Sequence, residues 1–340
     1  MFRKSSRSAG GRHSAVVALI ASGIAWGTSV PLSKVALGWL APGWLTVARF
    51  GLAAIVLLVI AGRNGKLRGA FALPVLASGA IGYGCSVAIQ NAGIARTSVT
   101  HASLIIGATP ILVAIIVAVW QRAIARPVAW AGFVLALGGV GLIAGGQGHG
   151  ATHDGDLLVL VATVISASVT VAQGRLLEGR DPIALTAVQF LGATLGALPF
   201  AAAEGLPAVS HVVGIHSVGL HSVDPHSAAA PLIATVAVTI TGTLIPFSLF
   251  AFGLKRVSAE VAGAFLNLEP LVGAVIGIVA FGDPCGARQV SGGLAVIAGI
   301  ALSSLPLLGA RRRAVGSGLG ESPDADKLPD WAKARATVSA

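Results

Sequence analysis

The sequence predicts an all-α integral membrane protein with ten transmembrane helices, arranged as two inverted five-helix repeats. Its composition supports the membrane assignment, because 55% of the 340 residues are hydrophobic, 11% are charged and the mean hydropathy is +0.85. A soluble domain carries about 25% charged residues, so this chain lacks the polar surface to face water on all sides. The 45 glycines suit the close helix packing that is typical in lipid. An internal repeat supports the two-part arrangement.

Apolar runs of about 18 residues or more locate the predicted spans. The ten runs are residues 15–33, 44–61, 71–92, 97–120, 127–145, 157–177, 183–203, 229–254, 257–280 and 288–308. Short stretches rich in glycine, proline, asparagine or aspartate separate them, as expected for turns.

The distribution of basic residues predicts the orientation. With both termini in the cytoplasm, all of the 23 lysines and arginines lie on the cytoplasmic side except Lys34, Arg49, Arg96 and Arg288. The net charge of +10 is therefore explained by membrane topology, and we expect no nucleic-acid partner. The expected location is the cytoplasmic membrane, with the protein crossing it many times.

The chain divides into five predicted segments. These are a cytoplasmic N-terminal arm at 1–14, a first repeat at 15–145, an outer linker at 146–156, a second repeat at 157–308 and a disordered cytoplasmic tail at 309–340.

Two offsets relate the halves of the chain. A shift of 140 residues places Pro42, Leu45, Thr46 and Phe50 on Pro182, Leu185, Thr186 and Phe190. A shift of 160 places Gly93, Arg96, Ser98, Ala102, Pro110, Gly132 and Gly139 on Gly253, Arg256, Ser258, Ala262, Pro270, Gly292 and Gly299. Five spans per half is an odd number, so the second half must be inverted. Inverted halves place a binding site near mid-bilayer, and helix breaks at matched positions point to it. Thr109-Pro110 and Glu269-Pro270 are such a matched pair.

Three motifs add a resemblance to a known family. Ala-Trp-Gly-Thr-Ser at 25–29, Asn-Leu-Glu-Pro at 267–270 and Phe-Gly-Asp-Pro at 281–284 resemble signatures of the EamA family in the drug/metabolite transporter superfamily. The resemblance covers about residues 15–308. It implies ten helices in two inverted EamA repeats and a permease that usually exports amino acids, nucleosides or other small metabolites. The family's Gly-Glu pair is Gly-Asp at 282–283 here, and Trp120-Gln121 stands at the corresponding place in the first half.

Glu269 is the strongest candidate for a functional residue. A carboxylate at mid-membrane depth costs about 2.5–3.5 kcal/mol, so it normally faces a bundle interior or a water-filled cavity. Glu269 therefore either binds a substrate amine or coupling proton, or stabilises the helix break at Pro270 as a structural acid. Asn267 lies beside it and lines the same predicted site.

Other polar and aromatic residues complete the predicted site, each with an alternative. Arg49 either holds a substrate carboxylate in a bidentate contact or extends to the outer interface. Trp26 and Tyr83 either form an aromatic wall for the cargo or pack in the bundle. Thr109 adjoins the break at Pro110. His101, near the outer end of the fourth span, is either a proton carrier or an interfacial histidine.

The loop 204–229 contains four histidines at intervals of five residues. It is either an external metal-binding loop or a short tandem expansion in a tolerant segment. An interval of five turns successive side chains through about 140° on a helix, so they would share no face. The four are His211, His216, His221 and His226.

The sequence contains no nucleotide-binding glycine loop and no specific catalytic constellation. We therefore expect no enzymatic activity, no cofactor and no metal site within the membrane. The expected function is a secondary transporter that exports a small metabolite by alternating access, driven by the proton gradient or by the cargo's own gradient. The alternatives are a divalent-metal permease that uses the histidine loop and a membrane-embedded lipid or isoprenoid enzyme. The expected partners are the lipid bilayer and a small-molecule cargo; a homodimer is left open and is not required.

Overall fold

The computed structural model describes residues 5–120, 127–144, 151–205, 229–254, 268–299 and 302. Within these ranges the chain is helical and has no strand. Six helices there are long and apolar enough to cross a membrane, which confirms the predicted class of fold. They are His13–Ala36, Pro42–Arg63, Leu73–Arg96, His153–Gln173, Pro182–Ala203 and Leu232–Phe250. The count of ten stays a prediction.

Several of these long helices are assembled from shorter pieces. The pieces are α1 (Ser5–Gly27), α2 (Ser29–Ala36), α3 (Pro42–Arg63), α4 (Leu73–Gly79), the π-helix π1 (Ala80–Cys85), α5 (Ser86–Arg96), α6 (Val99–Ile106), α7 (Thr109–Trp120), α8 (Pro127–Ala144), α9 (His153–Leu177), α10 (Pro182–Ala203), α11 (Ala229–Thr239), the π-helix π2 (Ile240–Leu244), α12 (Ile245–Leu254), α13 (Leu268–Phe281) and α14 (287–299).

Four irregularities interrupt the spans that the structure describes. The first span breaks at Thr28, and the fourth breaks between Ile106 and Thr109. The other two are π1 and π2, which begin 160 residues apart. A π turn shifts the backbone hydrogen bonds by one residue and often marks a functional site.

The described loops gather at two ends of the bundle, called here the Pro42 end and the Arg63 end after the two ends of α3. At the Pro42 end, Lys34 donates to the carbonyls of Ile94 (2.8 Å) and Thr97 (2.7 Å), at the end of α5. At the Arg63 end, Lys66 pairs with Asp181 at 2.9 Å. Successive loops thus alternate between the ends, as the sequence predicts. The sequence assigns the Arg63 end to the cytoplasm, and that orientation stays a prediction.

Helices α3 and α10 form an antiparallel pair. Near the Pro42 end, a Cβ on Gly43 would lie 2.5 Å from the backbone nitrogen of Ala201, so only glycine permits this approach. Glu204, just after α10, accepts hydrogen bonds from the backbone N–H of Gly43 at 2.9 and 3.0 Å. A carboxylate at a helix N-terminus satisfies unpaired N–H groups and complements the helix dipole. The end of one helix therefore fixes the beginning of the other.

Side-chain contacts between spans recur at corresponding positions of the two halves. The hydroxyl of Ser22 donates to the carbonyl of Pro246, and the hydroxyl of Ser86 donates to the carbonyl of Ala162, both at 2.9 Å. Residues 22 and 162 are separated by 140, and residues 86 and 246 by 160. The same pair of positions is thus joined twice.

Two glycine contacts follow the same rule. A Cβ on Gly253 would lie 2.5 Å from Leu19 Cγ, and a Cβ on Gly93 would lie 2.7 Å from Val159 Cγ2. Residues 19 and 159 again differ by 140, and residues 93 and 253 by 160. The offsets found in the sequence therefore also relate contacts in space.

Asp181 provides a test of the helix cap at the Arg63 end. Partial burial acts to raise its pKa, but the Lys66 ammonium and the N–H groups of Ala184 and Ile183 outweigh burial and lower the pKa below its usual value of 3.8. A carboxyl with a lowered folded-state pKa adds stability above its ordinary pKa, and this stability is lost as the pH falls through the lowered value.

We expect Asp181→Asn to reduce the free energy of unfolding by about 0.5–1 kcal/mol at pH 7, the usual range for a weakened N-cap. The difference from the unmodified protein should shrink as the pH falls below about 4. Thermal unfolding in detergent across this pH range measures both effects. Glu178→Gln, at an exposed acid of the same loop, is the matched control. Equal losses in the two variants would contradict the capping role.

Candidate functional site

Arg49 lies in the interior of the bundle, against π2. Its side chain is only 8% exposed. Its Nε donates to Thr243 Oγ1 at 2.5 Å, and its Nη2 donates to the carbonyl of Gly242 at 2.7 Å. Because π2 lies in the middle of the Leu232–Phe250 span, the guanidinium does not extend to the membrane interface. The inward-facing alternative for Arg49 therefore matches its position.

The guanidinium retains hydrogen-bonding capacity. Arginine carries five N–H donors, and two of those on Arg49 are used by Thr243 and Gly242. The other three bond to no described residue. Glu269 interacts electrostatically with Arg49, yet the two form no direct ion pair among the described contacts. A buried cation and a buried acid thus face the same region with space for other partners.

The break in the first span adjoins both π2 and α13. Thr28 Oγ1 donates to the carbonyl of Ala25 at 2.7 Å and lies 3.2 Å from Thr241 Oγ1. A Cβ on Gly27 would lie 2.5 Å from Val272 Cβ and 3.0 Å from the carbonyl oxygen of Glu269. The motif at 25–29 therefore forms a break whose glycine allows α13 to approach.

The break in the fourth span lies against Pro270. A Cβ on Gly107 would be 2.5 Å from Pro270 Cβ, so the chain before α7 packs directly on the start of α13. Thr109 Oγ1 donates to the carbonyl of Ile106 at 2.5 Å and closes the turn between α6 and α7. Pro110 is the second residue of α7, a position where proline costs no helix hydrogen bond.

An aromatic cluster lines the space between the first, third and eighth spans. The ring of Phe247 lies 5.1 Å from that of Trp26 and 5.8 Å from that of Tyr83, both edge to face. Phe50 and Phe190 continue the cluster at 5.2 Å from each other and are fully buried. These two are packing residues, whereas Trp26 and Tyr83 are half-buried, so both alternatives for them stay open.

Most of the predicted site residues thus belong to one connected set. Trp26 and Tyr83 meet through Phe247, and Arg49 and Glu269 interact through their charges. Thr109 joins through the packing of Gly107 on Pro270. The residues that lie outside the described part of the chain are Asn267, His211, His216, His221 and His226, together with the side chain of Pro110. In the described part, no group of three or more histidine, cysteine or acidic side chains could hold a metal ion.

Sequence reasoning missed the polar face of π2. Thr241, Gly242 and Thr243 contact the first-span break or Arg49. The available signal was a Thr-Gly-Thr triplet inside an otherwise apolar span, at the offset of 160 from Gly82 and Tyr83.

Asp283 has a structural role in the described chain. It follows Gly282, whose φ of +67° favours glycine, and its Oδ2 accepts a hydrogen bond from the backbone N–H of Thr100 at 2.6 Å. The acid after α13 therefore caps the first turn of α6. This explains what an acid does at the end of the Phe-Gly-Asp-Pro motif.

Membrane-spanning helices that break around buried charges are typical of membrane transport proteins. The sequence model of the EamA-like transporter family matches residues 13–145 and again residues 153–305. The chain therefore belongs to the EamA-like transporter family.

Two relatives of known annotation resemble the chain over most of its length. A probable terminal-alkyne amino-acid exporter of Streptantibioticus cattleyicolor is 28% identical, covering 88% of this chain and 96% of its own. An uncharacterized transporter of Archaeoglobus fulgidus is 26% identical, covering 81% of this chain and 93% of its own. One solved crystal structure superposes with a TM-score of 0.60 at 20% identity, covering 88% of this chain and 99% of that one. At that identity the superposition shows the fold alone.

The bond between Arg49 and Thr243 provides a test of the site. Thr243→Val removes the acceptor of the Arg49 Nε–H, and hydrogen bonds to charged groups contribute about 1.5–3 kcal/mol. We expect the free energy of unfolding to fall by that amount in detergent. Thr194→Val is the matched control, because the Thr194 hydroxyl bonds only within its own helix, to the carbonyl of Phe190. A loss no greater than the control's would show that π2 does not depend on Arg49.

Proposed function

We propose that this protein is a secondary transporter of the cytoplasmic membrane that exports a small amino acid by alternating access. The observation that carries the proposal is the buried Arg49 guanidinium, with three uncommitted N–H donors, in electrostatic reach of the buried Glu269. The name of the Streptantibioticus relative, a probable amino-acid exporter, supports both the cargo class and the direction.

The two charges suit a zwitterion. Arginine binds carboxylates through parallel N–H bonds, and the donors left on Arg49 allow an end-on pair of this kind. Glu269 would receive the cargo's ammonium group, and the half-buried rings of Trp26 and Tyr83 would contact an apolar side chain. A nucleoside, the second cargo class, carries neither charge and would leave both buried groups unpaired, at a cost of several kcal/mol.

We further propose ten spans in two inverted repeats, at 15–145 and 157–308, with both termini in the cytoplasm. The family model matches the chain twice in succession, and contacts between spans recur at the offsets of 140 and 160 residues. Inverted repeats of this kind move against each other about a central site. The breaks at Thr28 and Gly107 and the two π-helices would bend in that movement.

The transport cycle would draw on the proton gradient or on the cargo's own gradient. Both the family and the relatives are named as transporters, which disfavours the lipid-enzyme alternative. The metal-permease alternative depends on the histidine loop, to which no described residue adds a ligand cluster. The proposed cycle needs no cofactor and no partner subunit.

Counterflow in proteoliposomes tests the cargo and the role of Arg49. Vesicles loaded with pooled amino acids and nucleosides should take up labelled amino acids. Arg49→Gln should weaken the apparent affinity about 10- to 100-fold, the effect of losing roughly 1.5–3 kcal/mol of charged hydrogen bonding. Arg96→Gln, at an exposed arginine that bonds the carbonyl of Ala92 in its own helix, should behave as the unmodified protein does. Uptake of nucleosides alone, or unchanged affinity in Arg49→Gln, would overturn the proposal.

Glu269→Gln tests the coupling of transport to protons. The amide keeps the shape of the side chain but cannot exchange a proton at any pH in the working range. We expect cargo accumulation driven by a pH gradient to fall to background, while the protein inserts and purifies normally. Glu178→Gln, at an exposed loop acid, is the control. If Glu269→Gln transports as well as the unmodified protein at every pH, then Glu269 is a structural acid.

A further inference from the structure

A second pair of ionisable side chains is buried at the Pro42 end of the bundle. His101 of α6 is 2% exposed and Asp156 of α9 is 4% exposed. His101 Nδ1 lies 3.0 Å from Asp156 Oδ2. Neither residue belongs to the proposed cargo site.

Two helix N-termini hold the pair in place. Ser98 caps α6 by accepting a hydrogen bond from the backbone N–H of His101 at 3.1 Å, and Thr152 caps α9 by accepting one from Gly155. Thr97 Oγ1 donates to Asp156 Oδ1 at 2.5 Å. Both carboxylate oxygens of Asp156 therefore have partners, and the imidazole is fixed in orientation.

The other ring nitrogen of His101 has no partner. A carboxylate accepts hydrogen bonds, so Nδ1 carries the proton in the neutral ring and Nε2 presents a lone pair. That Nε2 is fully buried and bonds to nothing; in the described part of the chain only Ser103 Oγ is a similarly unpaired buried side-chain atom. An unsatisfied buried polar atom is costly, and each one in a folded protein calls for an explanation.

The surroundings can balance a charge on the ring. The ionisable side chains at this end of the elements packed against α6 are His153, Asp154 and Asp156 of α9, Lys34 of α2, Arg96 of α5, Asp283 after α13 and Arg288 of α14. Lys34 is engaged by the carbonyls that end α5, and Asp283 by the backbone of Thr100. Helix α8, which also packs on α6, has no charged residue. Asp156 is thus the anion in direct contact with His101.

We propose that His101, held by Asp156, is a second proton-binding site, which takes up one proton on Nε2 from the solvent when the Pro42 end opens. The proton comes from water and forms an N–H bond, and the resulting imidazolium is neutralised by the Asp156 carboxylate. In the closed arrangement described here Nε2 is sealed, so a proton bound there stays bound until the end opens again.

The position of the pair links this proton to movement. His101 lies in the first stretch that matches the family and Asp156 in the second, so their bond joins the two halves. The break at Gly107 follows α6 directly, and opening of the Pro42 end would separate α6 from α9. The use of this proton in coupling rests on the function proposed above; the binding of the proton does not.

Nitrogen-15 NMR of the full-length protein with labelled histidine tests proton binding directly. The chain has eight histidines, so spectra of His101→Asn identify the His101 signals by their loss. Asparagine places an amide nitrogen near the position of Nδ1 and can keep the bond to Asp156. His153→Asn, at an exposed histidine of α9, is the matched control, and His101→Gln serves if His101→Asn does not fold.

We expect the His101 signal to start as the neutral form with the proton on Nδ1 and to move to the imidazolium form between pH 9 and pH 5. A signal that keeps one form across this range, or a neutral form with the proton on Nε2, would overturn the proposal.

Transport separates the two proposals. Under a pH gradient, His101→Asn should accumulate cargo at least tenfold less than the unmodified protein, while counterflow at equal pH stays within twofold. Equal accumulation in both would remove His101 from coupling and leave the proposed function intact. An absence of counterflow in the unmodified protein would overturn the proposed function, and the NMR titration would still decide whether His101 binds a proton.

Discussion

The hydrogen bond from Arg49 to the carbonyl of Gly242 is the interaction on which the centre of this protein depends. In lipid, a backbone group released from a helix has no water to bond and must find a partner inside the protein. A π-helix releases such groups, and the guanidinium supplies donors for them. The same contact gives a buried cation its acceptors. An irregular span and a charged side chain thus stabilise each other at a depth where neither would be tolerated alone.

The ends of the helices follow a related rule, because their caps come from other elements. Glu204 caps α3, Asp283 caps α6, and Lys34 bonds the last carbonyls of α5. Each of these side chains is separated from the helix that it caps by a long stretch of sequence. The described bundle is therefore fixed by polar contacts at the Pro42 end as well as by apolar packing along the spans.

The membrane class could be predicted from the sequence because it depends on summed composition, which needs no knowledge of contacts. The break near Pro110 could be anticipated because proline acts on its own backbone. The break at Thr28 could not be derived in this way, since it contains no proline, and only the resemblance singled out its motif. The π-helices were also missed, because a shift of one hydrogen bond leaves the apolar pattern of a span unchanged.

The destination of Arg49 shows the limit of pattern alone. Five or six residues into a span, an arginine can extend to the interface or turn inward, and its position in the sequence allows both. The choice depends on Thr243 and Gly242, which are almost two hundred residues away. The half of the site that arises from local sequence was therefore predictable, and the half that arises from pairing between distant spans was not.

Residues 49 and 189 occupy corresponding positions 140 residues apart, yet one is arginine and the other is glutamine. Gln189 is neutral and is engaged by Gln173 and Ser78. Two identical halves would present the same groups toward both faces of the membrane, so a bound molecule would have two equivalent poses. Placing the positive charge on one side only makes the centre chiral along the membrane normal. A dipolar molecule there has one preferred orientation, whichever face it enters from.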